Sequence, residues 1–244
     1  MLQIKKITNQ NDLLDHIYIY NKHISCKIFP NLGASIQEFI IKGISIIDGV
    51  TIDQNGIDAY FNTHKSAILF PFPNRVKDGN YDFGGSNYQL KINEPKKHNA
   101  IHGMLFDKHF KIVDQAVNAE EASVSLSYTS NGTLEGYPFK FVFIVKYTIK
   151  PEGVLSLSFH VKNTDKIAFP FGIGWHPYFK SNNLDDSTLT FASKEHFIFN
   201  ERSIPDTIKI SEMPFTFSIN NHTYDDGFSL INASLIYKDS KYIL

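Results

Sequence analysis

The sequence has a single cysteine, Cys26, in 244 residues. One thiol cannot close an internal disulfide or supply a cysteine knuckle for a metal. Neither sign of charge is in excess, with 24 Lys and Arg against 25 Asp and Glu. A nucleic-acid binder needs a basic surface to displace phosphate counterions, so nucleic acid is excluded as the main partner. An anionic membrane has no electrostatic claim on the chain either. No apolar run reaches the length that spans a bilayer. The opening residues, "MLQIKKITNQNDLLDH", lack an apolar h-region and a small-residue cleavage site, so no secretory signal is read there. Together these absences predict a soluble, cytoplasmic protein. Small, neutral, polar ligands stay open.

Long helical periodicity is missing too. Aromatic residues make up 14% of the chain, with 21 Phe and 12 Tyr, and they alternate with Ser and Thr in a way that favours strands. The stretch "IYIYNKHISCKIFPNLGASIQEFIIKGISIIDG" reads as consecutive strands, with turns at "YNKH", "PNLG" and "IKGIS". Residues 51–66 are polar and irregular and read as a loop. "KDGNYDFGGSNYQL" reads as a hairpin, because Asp78-Gly79 and Gly84-Gly85 tolerate positive φ. "ASVSLSYTS", "FKFVFIVKYTIK" and "VLSLSFHVKN" alternate with period two, as half-buried antiparallel strands do. Short strands follow at "STLTF", "HFIF", "FTFSI", "GFSLI" and "SLIY". The expected fold is all-β, a large antiparallel β-sandwich in one domain.

Four places carry polar residues that a sheet does not require: "PFPNRVKDG" with Asn74 and Arg75, "HNAIHGMLF" with His98 and His102, "GWHPYF" with His176, and "TYDDGFSL" with Asp225 and Asp226. Glycine and proline beside them predict strand ends and loops, where function commonly sits on a rigid sheet. Histidine moves protons near neutral pH. Arginine makes forked hydrogen bonds, and aspartate accepts from two adjacent hydroxyls. With flat Phe and Tyr faces, this set suits a sugar ring.

Each residue also has a plainer reading. A lone histidine among apolar residues is ordinarily a satisfied core histidine. His98 and His102 have i,i+4 spacing, but "HNAIH" is not a helical metal motif, so no metal site is expected. Arg75 could be a structural clamp, and Asp225-Asp226 an ordinary turn.

Taken in order, "NRV.DG.Y.FGG..Y.L", "N.IHG", "GWHPYF" and "YDDGFSL" resemble the aldose 1-epimerase (galactose mutarotase-like) family, over nearly the whole chain. The resemblance implies a galactose mutarotase-like supersandwich over 1–244 and a cofactor-free isomerase that interconverts the α and β anomers of a hexose. A carboxylate takes the anomeric proton, a histidine protonates the ring oxygen, and the ring opens and recloses. Carried onto this chain, it makes His176 the acid and His102 its assistant, both catalytic. Asn74, Arg75, Tyr178 and Asp225 become substrate-binding, and Phe70 and Phe72 contacts to the sugar face. Pro177 holds His176 in extended backbone.

One part of the pattern is missing. The resemblance implies a glutamate base beyond the Asp motif, yet "GFSLINASLIYKDSKYIL" holds no glutamate and only one acid, Asp239. "KYIL" reads as the middle of a strand. Three explanations follow: the natural chain continues past Leu244 into closing strands, the protein binds sugars without catalysis, or Asp226 has become the base. An open sheet edge would allow a homodimer. A hexose-phosphate mutarotase is the alternative within enzymes, with Lys77, Lys96 and Lys97 as its basic cluster.

Overall fold

The period-two stretches of the sequence are strands. A computed structural model of the chain describes residues 1–210, 214–220 and 225–244. These form two compact units, Met1–Phe179 and Lys180–Leu244. Among the described residues no helix is long and apolar enough to cross a membrane.

The first unit opens with an antiparallel sheet of five strands in sequence order: β1 (Gln3–Ile7), β2 (His16–Tyr20), β3 (Ile24–Phe29), β4 (Ser35–Ile41) and β5 (Ile44–Ser45). The turns fall where the sequence places them, at Asn21–His23, at 30–34 and at Lys42-Gly43. Then come α1 (Gln54–Thr63), β6 (Ile68–Leu69), β7 (Arg75–Lys77), β8 (Asn80–Phe83), β9 (Ser86–Gln89) and β10 (Asn99–Ile101). β8 and β9 form the expected hairpin, with Gly84 and Gly85 at φ 59° and 78°. β11 (Lys111–Val117), β12 (Ala122–Asn131), β13 (Lys140–Ile149) and β14 (Leu155–Asn163) make a four-stranded antiparallel meander. β15 (Gly174–Trp175) pairs with β6.

The core of this unit follows from the alternation. Buried and half-exposed residues alternate along β13, and Phe141, Phe143, Val145, Tyr147 and Ile149 lie inside. Ile17, Ile19, Cys26 and Ile28 do the same from the five-stranded sheet. Each such side chain contributes about 1.5–3 kcal/mol on full burial. Tyr147 donates its hydroxyl to the Ala34 carbonyl, 2.7 Å away, which satisfies a polar group that burial would otherwise leave costly.

Residues 51–66 are not all loop, because α1 occupies most of them. Asp53 caps its start by accepting from the Gly56 N–H at 2.8 Å. Only Ile57 and Tyr60 give it an apolar face, too sparse to register as periodicity. Both join a cluster with Leu14, Phe29, Leu32, Ala67 and Leu69. The Tyr60 hydroxyl bonds the carbonyls of Leu32 and Phe106, each at 2.9 Å. Tertiary packing, not propensity, makes this helix.

The second unit is a sheet around β16 (Thr188–Phe199), which pairs antiparallel with β17 (Pro205–Ile210), β18 (Pro214–Ser218) and β19 (Gly227–Lys238). "STLTF" and "HFIF" are thus one strand, as are "GFSLI" and "SLIY". Register shifts between Phe191 and Ser193 and between Ser193 and His196 break the alternation that would have joined them. In "KYIL", Ile243 forms an antiparallel bridge with Lys238. The chain turns at Asp239, and Leu244 and Tyr237 exchange backbone hydrogen bonds of 2.8 and 3.1 Å.

Candidate active site

The segment 66–70 gathers the site in the first unit. On one side β15 pairs with β6, and His176 continues the contact: its N–H donates to the Ala67 carbonyl at 3.1 Å and its carbonyl accepts from Ser66 at 2.8 Å. On the other side Gly103 bridges Phe70, and the Met104 N–H donates to the Phe70 carbonyl at 2.7 Å. Gly103 has φ +71°, and a β-carbon there would lie 2.2 Å from the Phe70 carbonyl oxygen. Only glycine fits, which explains the glycine of "IHG". The close approach swings His102, itself left-handed at φ 64°, toward His176. Their ring centroids are 4.8 Å apart at 63°.

His102 stands outside the ordinary histidine range. Its Nδ1 is buried and has no hydrogen-bond partner among the described residues. A second proton on this ring would bury an unsatisfied cation. Burial first, then the positive charge of His176, His64 and Arg75, push its pKa down to about 3. At neutral pH this ring is uncharged, with one nitrogen a donor and the other an acceptor. Tyr178 follows two residues after His176, its ring 5.4 Å away, with the Lys65 ammonium 5.4 Å over its face. Its hydroxyl reaches the Thr63 carbonyl at 3.4 Å.

Asn74 and Arg75 sit where β7 begins, and Asn74 is left-handed at φ 61°. The Asn74 carbonyl accepts from the His102 N–H at 2.8 Å, which ties the "NR" and "IHG" motifs together. Arg75 makes a forked pair with Glu94: Nε to Oε2 and Nη2 to Oε1, both 2.9 Å. A third N–H, from Nη1, reaches Asn74 Oδ1 at 3.1 Å. Guanidinium has five N–H groups, so two remain to meet a ligand. Glu94 also accepts from Asn99 at 2.9 Å. The Arg75 hydrogen bonds, against burial, hold its carboxyl below the usual glutamate range. Glu94 belongs to none of the four polar motifs. "KINEP" carries no signal beyond lying between two motifs.

Other expectations shift. Phe70 is fully buried, 5.0 Å from both Phe141 and Phe143, so it is core and not a sugar contact. Phe72 is half-buried against Tyr81 and Tyr137. His98 is exposed and pairs with Asp78 at 2.9 Å. Among the described residues no group of three or more His, Cys, Asp or Glu is placed to hold a metal ion. His64 belongs to none of the four polar motifs and lies inside the stretch that reads as loop. Its ring lies 5.1 Å from that of His102.

The aspartates belong to the second unit. Asp225 is exposed at the approach to β19, and Tyr224 of "YDD" lies outside the described residues. Asp226 accepts from His196 at 2.8 Å, whose ring stacks on Phe228 at 4.4 Å. Asp239 is buried and accepts from Ser181 at 2.8 Å, from the Asn182 backbone and side chain at 2.8 and 3.0 Å, and from Lys241 at 2.9 Å. Burial pushes its carboxyl up, but these bonds outweigh burial and hold it well below the usual range. Asp226 and Asp239 are both committed to partners within the fold.

The model of the aldose 1-epimerase family matches residues 15–241. The chain belongs to that family. Solved structures agree on the fold. A galactose mutarotase-like protein from Clostridium acetobutylicum superposes with a TM-score of 0.80 at 20% identity, over 98% of this chain and 78% of that one. A galactose 1-epimerase from Lactobacillus acidophilus NCFM gives 0.78 at 18% identity, over 98% and 77%. In sequence, YihR of Escherichia coli K12 is 29% identical over 192 residues, 77% of this chain and 58% of that protein. Maltose epimerase of Levilactobacillus brevis is 21% identical over 205 residues, 81% of this chain and 59% of that protein. The chain thus spans less than two thirds of these two relatives' length. The all-β, antiparallel, galactose mutarotase-like fold stands as the sequence predicts.

Proposed function

We propose that this chain carries the acid side of a mutarotase site for an aldose with a free anomeric carbon. The observation that carries the reading is the pair of imidazoles, His102 and His176, held 4.8 Å apart beside Arg75 and Asn74. His176 gives its proton to the ring oxygen as the C1–O5 bond breaks, and recovers it when the ring closes. His102 stays neutral and donates a hydrogen bond to the ring oxygen or its neighbour, so the two histidines do not compete for charge. Arg75, Asn74 and Tyr178 hold hydroxyls. Positioning and proton transfer suffice for this chemistry.

The carboxylate that takes the anomeric proton is the open role. Glu94, Asp226 and Asp239 are each bonded elsewhere, and a base must reach the anomeric hydroxyl. The relatives frame the substrate: one structure is named for galactose and one relative for maltose, both reducing sugars.

Anomer exchange by NMR tests the reading, with α-galactose, α-glucose, maltose and glucose 6-phosphate and the spontaneous rate subtracted. Exchange above background that falls about 100-fold or more in a folded His176→Ala variant is the expected result. Retained exchange in that variant removes His176 as the acid. Binding without exchange leaves a sugar-binding protein. A marked preference for the phosphate ester moves the assignment to a hexose phosphate.

A further inference from the structure

We propose that His64 is a third imidazole of this site and contacts a sugar hydroxyl directly, contributing to substrate specificity. The inference rests on the sugar reading above and deepens it. His64 caps the C-terminus of α1 in the left-handed conformation, φ 53°, its N–H donating to the Tyr60 carbonyl at 2.7 Å. Strained backbone at a residue with a β-carbon asks for a reason, and such residues cluster at ligand sites. The cap carries the imidazole over the loop that holds His102. The ring stands 5.1 Å from His102 at 62° and 4.7 Å from Phe106 at 76°. Those two contacts fix its plane.

Its nitrogens are left over. No described residue hydrogen-bonds the His64 ring, which is half-buried. The neighbouring charges are already matched: Lys65 with Asp48, Arg75 with Glu94, and Lys108 with Asp107. No ion pair therefore claims this ring. Burial, and then the charge of His176, hold its pKa below the ordinary histidine value. A neutral imidazole presents one donor and one acceptor. A hydroxyl is also both, so the two groups match without a net charge on either.

The test compares wild type with His64→Phe, which keeps the ring packing against His102 and Phe106 and removes both nitrogens. The expected result is a KM for galactose about 3- to 10-fold higher with kcat within about twofold, the size of one lost neutral hydrogen bond. His64→Gln, which keeps a donor and an acceptor, restores most of the affinity. Across a series of monodeoxy-galactoses, wild type discriminates against one position and His64→Phe does not. Unchanged KM and unchanged discrimination in a folded Phe variant overturn the proposal. Where the Phe variant does not fold, a galactose titration of wild type followed by histidine Cε1–H NMR decides. Shifts at His102 and His176 with none at His64 overturn it, and a shift at all three supports it. Binding NMR also separates the two readings: if wild type shows no exchange yet binds galactose through His64, the mutarotase reading fails and this contact stands.

Discussion

Gly103 bridges Phe70 so closely that a β-carbon on the glycine would stand 2.2 Å from the Phe70 carbonyl oxygen. The contact lies one residue from His102, so a fault there disturbs stability and the site together. Gly103→Ala must carry a left-handed backbone and a clash at once. We expect a loss of about 2–3 kcal/mol in chemical denaturation. Sugar exchange per folded molecule should fall as well. Wild-type stability in the alanine variant would show that 66–70 can shift without cost.

Arg75 and Glu94 share a forked pair, and lysine cannot reproduce it. Arg75→Lys should weaken sugar binding despite its retained charge. Glu94→Gln should cost about 1.5–3 kcal/mol, as hydrogen bonds to charged groups do. Because Glu94 is depressed in the folded state, its contribution is complete above the unfolded glutamate pKa and fades as pH falls through the folded one. Denaturation midpoints of wild type and Glu94→Gln should therefore converge in acid. Parallel curves down to pH 3 would count against the pair.

His102 predicts a second acid sensitivity, higher on the pH scale. Its folded pKa of about 3 lies below the unfolded value of 6.5. The unfolded chain thus binds a proton that the folded chain refuses. Stability from this source is complete above pH 6.5 and declines as pH falls toward 3. His102→Gln should flatten the decline between pH 6.5 and 5 in urea denaturation. An equally steep decline in the variant would place the sensitivity elsewhere.

Asp239 closes the second unit by receiving bonds at both carboxylate oxygens. Asp239→Asn has one acceptor oxygen where the native residue has two, so it should not substitute. Hydrogen exchange at Asn182, Tyr237 and Leu244 should accelerate in Asp239→Asn and more so in Asp239→Ala, with Ile17 and Val145 unaffected. Unchanged exchange at Asn182 would mean that the bonds contribute nothing to the local opening free energy.

Much of this was legible in the residues. β13 and β14 show their period-two pattern because one face is buried in β13 and half-buried in β14, and glycines mark the β8–β9 turn because it needs positive φ. "IHG" and "GWHPYF" meet because 66–70 runs between them, and "NR" joins because the Asn74 carbonyl accepts from the His102 N–H. The misses have physical causes. α1 depends on two apolar side chains and a cap, less than periodicity can detect. β11 is exposed along its length, so no alternation marks it. β16 reads as two strands because its register shifts midway. Phe70 reads as a sugar contact because sequence does not distinguish an aromatic beside a site from one beneath it. Glu94 and His64 act through partners distant in sequence, and no spacing rule reaches them.

The lone thiol gives the first unit a built-in reporter. Cys26 is fully buried in β3, and burial first, then the charge of Glu38, push its pKa far above the usual thiol value. A thiol that is both sealed and protonated reacts with an aqueous alkylating reagent only while the sheet is open. Labelling kinetics on the unmodified chain would then time that opening molecule by molecule, with no probe to engineer and no second sulfhydryl to confuse the signal.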